Sequence, residues 1–219
     1  MQKTITEPID KNYIASLVGE KPVIIEIGSY DGKDAQGLAD ACKSEIYCFE
    51  PLRANIEKIR ALNDDRLIIF PYAVTCFEGR TVMAVPTSHP QSSSLKEPKQ
   101  HLKIWPDIVY DESETVNCTT LDRWHEKVNN NCLIDFIWCD VNGSESDLIL
   151  GAPKALSRTK YLYIEYCKKM LFKKCLSREQ VLKALPGFEA IGDYNVGDNY
   201  GNVLLKNINP KLWDITPGL

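Results

Sequence analysis

Short apolar runs rich in Val, Ile, Tyr and Phe alternate with amphipathic stretches along the whole chain, and few folds accommodate that alternation. It is the pattern of βαβ units around a mostly parallel sheet. Strands are expected at Pro22–Gly28, Ile46–Glu50, Leu67–Ala73, Leu133–Asp140 and Tyr161–Glu165, with a last pair at Phe188–Asp193 and Asn202–Lys206. Helices fit between them at Asp34–Cys42, Leu52–Leu62, Ser144–Leu150 and Arg178–Leu185, and another near Asp10–Val18 covers one edge. The expected fold is α/β: a seven-stranded, mostly parallel sheet with helices on both faces.

Nothing divides the 219 residues, so they read as one domain. Between the third and fourth strands lies a long excursion. It holds a short strand at Arg80–Val85, a polar, Pro-rich stretch at Pro86–Asp107, a strand at Thr115–Thr119 and a short helix at Leu121–Lys127. Residues 86–114 are expected to form a substrate lid, because long loops in compact domains are often functional.

Composition excludes several partners. No apolar stretch approaches the length of a membrane span, so no membrane insertion is expected, and Met1–Lys11 lacks a basic start and apolar core, which points to a cytoplasmic protein. The net charge of −4 argues against nucleic acid. A local basic patch at Lys168, Lys169, Lys173 and Lys174 reads as a solvated helix face. Eight dispersed cysteines, with no CxxC pair and no Cys/His cluster, read as free thiols rather than disulfides or a zinc site.

The run Val23–Gly32 (VIIEIGSYDG) sets a buried strand before a tight turn with two glycines, and a nucleotide-like ligand can approach closely because Gly28 and Gly32 lack Cβ; a plain strand-to-helix connection is the alternative. Some twenty residues on, Ile46–Pro51 (IYCFEP) ends a second strand with Glu50, where ribose hydroxyls are bound in Rossmann-type sites; a helix-capping carboxylate is the alternative. There is no G-x-G-x-x-G and no P-loop. An adenosine ligand without pyrophosphate fits better than a dinucleotide.

The ordered segments EIGSYDGKD, YCFEPLRANIEKI, PYAV, SSSL, TTLDRW, IDFIWCDVNGSESDLILGA and YLYIEY resemble the motifs of FkbM-family methyltransferases over about Val23 to Tyr166. The resemblance implies a Rossmann-like class I methyltransferase that uses S-adenosylmethionine and releases S-adenosylhomocysteine. It implies that Glu26, Gly28, Ser29, Tyr30, Asp31 and Gly32 surround the methionyl part, that Glu50 and Pro51 hold the ribose, and that Ala73 borders the adenine. Ser93, within Ser92–Ser94, would lie over cofactor or substrate, and Asp140 would face the reacting end. Members of the family usually carry a carboxylate where this chain has Asn142, within Asp140-Val141-Asn142-Gly143-Ser144-Glu145. The amide can still orient a substrate hydroxyl.

Methyl transfer to a hydroxyl needs a base beside the acceptor. Asp140 and Glu165 end the fourth and fifth strands and are the first candidates, with Asn142 as a third catalytic residue. The same two carboxylates are the candidate ligands should a divalent metal be used. His89 and His101, in the lid, and His125 are weaker candidates for the base. The acceptor implied by the resemblance is a sugar hydroxyl in a glycan or glycoside, with Trp105 and Tyr110 available to stack on the ring. A small-molecule or lipid-linked acceptor, a non-catalytic cofactor-binding module and a nicotinamide dehydrogenase are the alternatives, and the chain would also suit a larger glycan-synthesis polypeptide or complex.

Overall fold

The computed structural model describes residues 3–209. Its main sheet is built from β1 (Lys3–Thr4), β2 (Ile24–Ile27), β3 (Ile46–Phe49), β4 (Leu67–Phe70), β8 (Ile134–Cys139), β9 (Thr159–Cys167), β10 (Phe188–Tyr194) and β11 (Tyr200–Asn207). Seven of these strands run in the order β10-β11-β9-β8-β2-β3-β4, and the two-residue β1 pairs parallel to β10 as an eighth at the edge. Only β11 is antiparallel to its neighbours. All four residues of β2 are buried, as a parallel strand covered on both faces requires.

Two apolar layers cover the sheet. On one face α1 (Lys11–Val18) and α2 (Lys33–Cys42) bury Ile14, Val18, Ala35, Leu38 and Ala39 against Ile24, Ile46 and Phe136, joined by Ile59 of α3 (Arg53–Ala61). On the other, α5 (Leu121–Lys127), α6 (Glu145–Gly151), α7 (Pro153–Ser157) and α8 (Arg178–Ala184) bury Trp124, Leu148, Ala155 and Val181 against Ile25, Ile137 and Leu162. Local chemistry sets several helix starts. Asp10 accepts the Asn12 N–H at 2.8 Å, and Ser177 and Gln180 form a reciprocal capping box.

The expected strand Leu67–Ala73 is two strands. Pro71 has no N–H for the ladder, so β4 stops at Phe70, and Ala73–Val74 (β5) joins a second, three-stranded sheet. That sheet has the order β5-β7-β6, with β6 at Gly79–Val85 and β7 at Glu112–Thr119. The excursion between β6 and β7 is folded: it carries a 3-10 turn at Pro90–Ser92 and the short helix α4 (His101–Ile104). It is tied back twice, through paired backbone bonds between Ala84 and Ser94 and through the Lys99 and Gln100 N–H groups donating to Leu171 and Met170 after β9.

Candidate active site

Parallel strands present their C-terminal ends at one edge, where an open α/β sheet binds its ligands. A cavity of about 480 Å³ lies there, walled by the turns after β2, β3 and β8, by β5, and by the inner side of the excursion. Glu26, Gly28, Ser29, Tyr30, Asp31, Glu50, Pro51, Ala73, Ser93, Asp140, Asn142 and Glu165 all line it. Gly32 does not. With φ +77° it starts α2, and a Cβ there would sit 3.0–3.2 Å from Leu62 and Ile59, so its expected cofactor contact gives way to packing between α2 and α3.

Gly28 also has a structural reason. At φ +92°, an added Cβ would lie 1.9 Å from the Asp140 carbonyl oxygen, and the Gly28 and Ser29 N–H groups donate to Phe49 at 2.9 and 3.2 Å. The glycine lets three strand ends meet.

Of the two roles weighed for Glu50, the capping one is seen directly. Its Oε1 accepts the Leu52 N–H at 2.9 Å and the Asn55 amide at 3.2 Å, holding the start of α3, while Oε2 accepts the Tyr30 N–H at 2.9 Å. A carboxylate oxygen offers more than one lone pair, so Oε2 keeps capacity for a ligand hydroxyl. Burial pushes the Glu50 carboxyl above its ordinary value, and these donors pull it back.

The charge of the cavity is one-sided. Six carboxylates line it, from Glu26, Asp31, Asp34, Glu50, Asp140 and Glu165, and no Lys or Arg does. Glu26 is 2% exposed and its Oε2 has no hydrogen-bond partner. Burial pushes its carboxyl up to about 8, with a weaker opposing effect from Ser29. A buried orphan acceptor in an acid-lined cavity fits a cationic ligand. The sulfonium and ammonium groups of S-adenosylmethionine, with its ribose diol near Glu50, match this set of groups.

Asp140 reaches solvent through the cavity although protein surrounds it, and burial, aided by the Asp34 charge, holds its carboxyl up at about 6. Glu165 is pushed well above the ordinary range by burial first and then by Asp140 and Glu145. At neutral pH Asp140 is therefore ionised, and the same burial favours the protonated form of Glu165. Tyr200, on β11, shares the cavity; burial and then Glu165 and Asp140 raise its phenol, which stays a donor. Tyr200 and Asn195 lie beyond the motifs legible in the sequence. Asn55, three residues into α3, was within reach of them as a partner for Glu50.

Asn142 is placed differently from expectation. Its amide nitrogen donates to the Gln91 and Ser93 carbonyls at 2.8 and 3.2 Å, and its own carbonyl accepts from the Ser94 hydroxyl at 2.7 Å. Both amide hydrogens are spent on the excursion, so only Oδ1 is left to meet a substrate, as an acceptor. A carboxylate here would face two carbonyls with no proton to give.

The histidines divide. His101 lines the cavity but is buried among Trp105, Tyr110 and Phe172, ring centroids 4.8, 5.8 and 5.0 Å away, and burial lowers its pKa. His125 is buried elsewhere, 2.8 Å from the Cys132 carbonyl, and neither His89 nor His125 lines the cavity. Trp105 lines it; Tyr110 does not, its hydroxyl donating to the Ser92 carbonyl at 2.9 Å. Among the described residues no three His, Cys, Asp or Glu side chains group as a metal site, and the cysteines are free.

A seven-stranded sheet with one reversed strand, opening at its parallel strand ends into an acid-lined cavity with a strand-end Glu, defines a Rossmann-like class I methyltransferase. The chain belongs to the FkbM methyltransferase family, whose domain model, "Methyltransferase FkbM domain", matches residues 26–195. It is 30% identical over 218 residues to the 2-O-methyltransferase NoeI of Sinorhizobium fredii (strain NBRC 101917 / NGR234), covering 91% of this chain and 85% of the relative. Among solved structures it resembles the FkbM methyltransferase of Methylobacillus flagellatus KT, with a TM-score of 0.54 at 14% identity, over 90% of this chain and 50% of that one. It also resembles an rRNA methylase of Streptococcus thermophilus, with a TM-score of 0.50 at 12% identity, over 91% and 94% of the two chains. These two likenesses bear on the fold alone. As a member of its family the protein is an S-adenosylmethionine-dependent methyltransferase. Among the described residues, no helix is long and apolar enough to cross a membrane.

Proposed function

We propose that the protein is an O-methyltransferase that methylates a sugar hydroxyl in a glycan or glycoside. The acid-lined cavity carries the reading, because a cationic methyl donor is the ligand that such a set of carboxylates favours. Transfer to oxygen is supported by the relative named a 2-O-methyltransferase. The residues 86–114 act as the lid of the acceptor side, where Trp105 offers an aromatic face to a sugar ring.

The residue roles follow from charge state and position. Glu26 pairs with the ammonium and Glu50 with the ribose; Ser29, Tyr30 and Asp31 form the turn around the methionyl part, and Pro51 and Ala73 the wall beside the adenine. S-adenosylmethionine supplies a methyl carbon made electrophilic by its sulfonium and leaves as S-adenosylhomocysteine. Asp140, ionised at neutral pH, accepts the hydroxyl proton as the oxygen attacks. Glu165, whose burial favours its protonated form, and the Tyr200 phenol hold the acceptor by hydrogen bonds. Ser93 and the lid exclude water from the reacting oxygen.

The test is incubation with isotopically labelled S-adenosylmethionine and a glycan panel, read by mass spectrometry. Label on a sugar oxygen is expected. Cofactor binding with no label transferred to any hydroxyl acceptor would reduce the protein to a cofactor-binding module.

A further inference from the structure

The walls of the cavity are acidic, but the outer side of its lid has the opposite charge. Two segments that touch, 96–103 and 168–174, hold seven lysines, no arginine and a single carboxylate, Glu97, in a chain of net charge −4. The Lys99 N–H bonds to Leu171, the Gln100 N–H to Met170 and the Lys173 N–H to Glu97, so the two segments form one strip. Their inward residues, His101, Leu171 and Phe172, line the cavity. Their outward residues include Lys99, Lys103, Lys168, Lys169, Lys173 and Lys174, all exposed.

Part of this charge is satisfied locally. Lys96 pairs with Asp147 at 2.6 Å, Lys99 and Lys173 share Glu97, and Lys168 donates to the Gly197 carbonyl. Lys103, Lys169 and Lys174 make no ion pair among the described residues. Apolar side chains stand out beside them: Leu102 is 44% exposed and Met170 56%, with Val109 of the same lid at 59%.

We infer that this strip is a docking surface for an anionic lipid bilayer. Lysine without arginine suits the diffuse charge of headgroups, since an ammonium acts as a hydrated point charge and lacks the planar fork that reads single phosphates or bases. Leu102 and Met170 between lysines give the mixed surface that settles at the boundary of headgroups and acyl chains. Because the same two segments wall the cavity, the acceptor would enter from the lipid side, which makes a membrane-held glycan the favoured acceptor; that last step rests on the function proposed above, whereas docking itself does not.

Sedimentation of the full chain with vesicles tests it without any methyl transfer. With phosphatidylcholine vesicles containing about a third phosphatidylglycerol the protein is expected to sediment at low salt and to be released by high salt, and with pure phosphatidylcholine to stay in solution. The triple variant Lys103→Ser, Lys169→Ser, Lys174→Ser should lower the partition on the order of 100-fold, given the contribution of each surface lysine. Leu102→Ser with Met170→Ser should weaken it further at moderate salt. Calorimetry with S-adenosylhomocysteine, unchanged in each variant, would show that the fold is intact. A wild-type protein that ignores anionic vesicles overturns the inference, as does a triple variant that still binds them fully. Binding to an RNA oligomer in place of vesicles would reassign the strip and equally overturn it.

Discussion

Replacing Asn142 by Asp exchanges an amide for a carboxylate of the same shape, at a backbone φ of +48° that both residues tolerate. The change therefore acts on hydrogen bonding and charge, not on shape. The variant loses the bonds to Gln91 and Ser93, each worth about 0.5–1.5 kcal/mol, and sets a negative charge against two carbonyl oxygens. One of the two bonds is partly open to solvent, so the closed lid should lose about 1–3 kcal/mol, roughly a 5- to 150-fold rise in the open population. The bond from the Ser94 hydroxyl to the residue 142 backbone carbonyl is retained, so the excursion should loosen without detaching.

Hydrogen exchange reads this directly. The Ser92 and Ser93 N–H groups, which donate to His89 and Pro90, should exchange faster in Asn142→Asp by that factor, while the strand Ile24–Ile27 is unaffected. Asn142→Gly, which keeps the backbone conformation but adds no charge, should show a smaller effect. The introduced carboxyl is favoured in its protonated form when the lid is closed, because only then can it donate; its pKa is raised by closure. Closure is thus regained at low pH and lost as pH rises through that raised value. The Michaelis constant for the acceptor should rise more than that for the cofactor. Equal exchange rates in wild type and Asn142→Asp would refute the latch.

Three further outcomes follow from the cavity. Glu26 sits at about 8 against an ordinary 4.5, so the folded chain keeps a proton that the unfolded chain loses, and stability should decline as pH rises through that interval; a cationic ligand reverses the preference. Calorimetry of S-adenosylhomocysteine binding near pH 7 in two buffers should show proton release that Glu26→Gln abolishes, and a buffer-independent enthalpy in the wild type would contradict the assignment. Gly28→Val should lower thermal stability severely, since its Cβ meets the Asp140 carbonyl; a variant that melts like wild type would show that the close approach is relaxed. Asp140→Asn should lower kcat by at least ~100-fold with cofactor affinity nearly unchanged, and wild-type turnover should rise with pH through about 6 as Asp140 ionises. Near-normal turnover of Asp140→Asn would move the base elsewhere, and loss of wild-type activity with a chelator, restored by magnesium, would recast Asp140 and Glu165 as metal ligands.

What could be read in advance was whatever depends on periodicity and on residues close in sequence. The seven strands of the main sheet, the helices expected between them and the Glu50 turn are local patterns, and each except β4, which ends three residues early, lies within a residue or two of its expected place. The break at Pro71 was also local, and was obscured by the apolar residues on either side. What escaped was set by contacts across long separations. Gly32 is a glycine because Ile59 and Leu62 come against it, nearly thirty residues on, and Tyr110 is turned away from the cavity by the carbonyl of Ser92.

The Asn142 amide shows why a departure from a family pattern is hard to weigh from sequence. Judged by charge it is the loss of a candidate catalytic carboxylate, but its value depends on two carbonyls fifty residues earlier that only the folded excursion brings within reach. With acids at the cavity floor and lysines on the outer side of the lid, the position of that excursion sorts the two charges. Burial in that cavity raises the carboxyls of both Glu165 and Asp140. A neutral amide at position 142 bonds to the Gln91 and Ser93 carbonyls without adding a further acid to a cavity already lined by six.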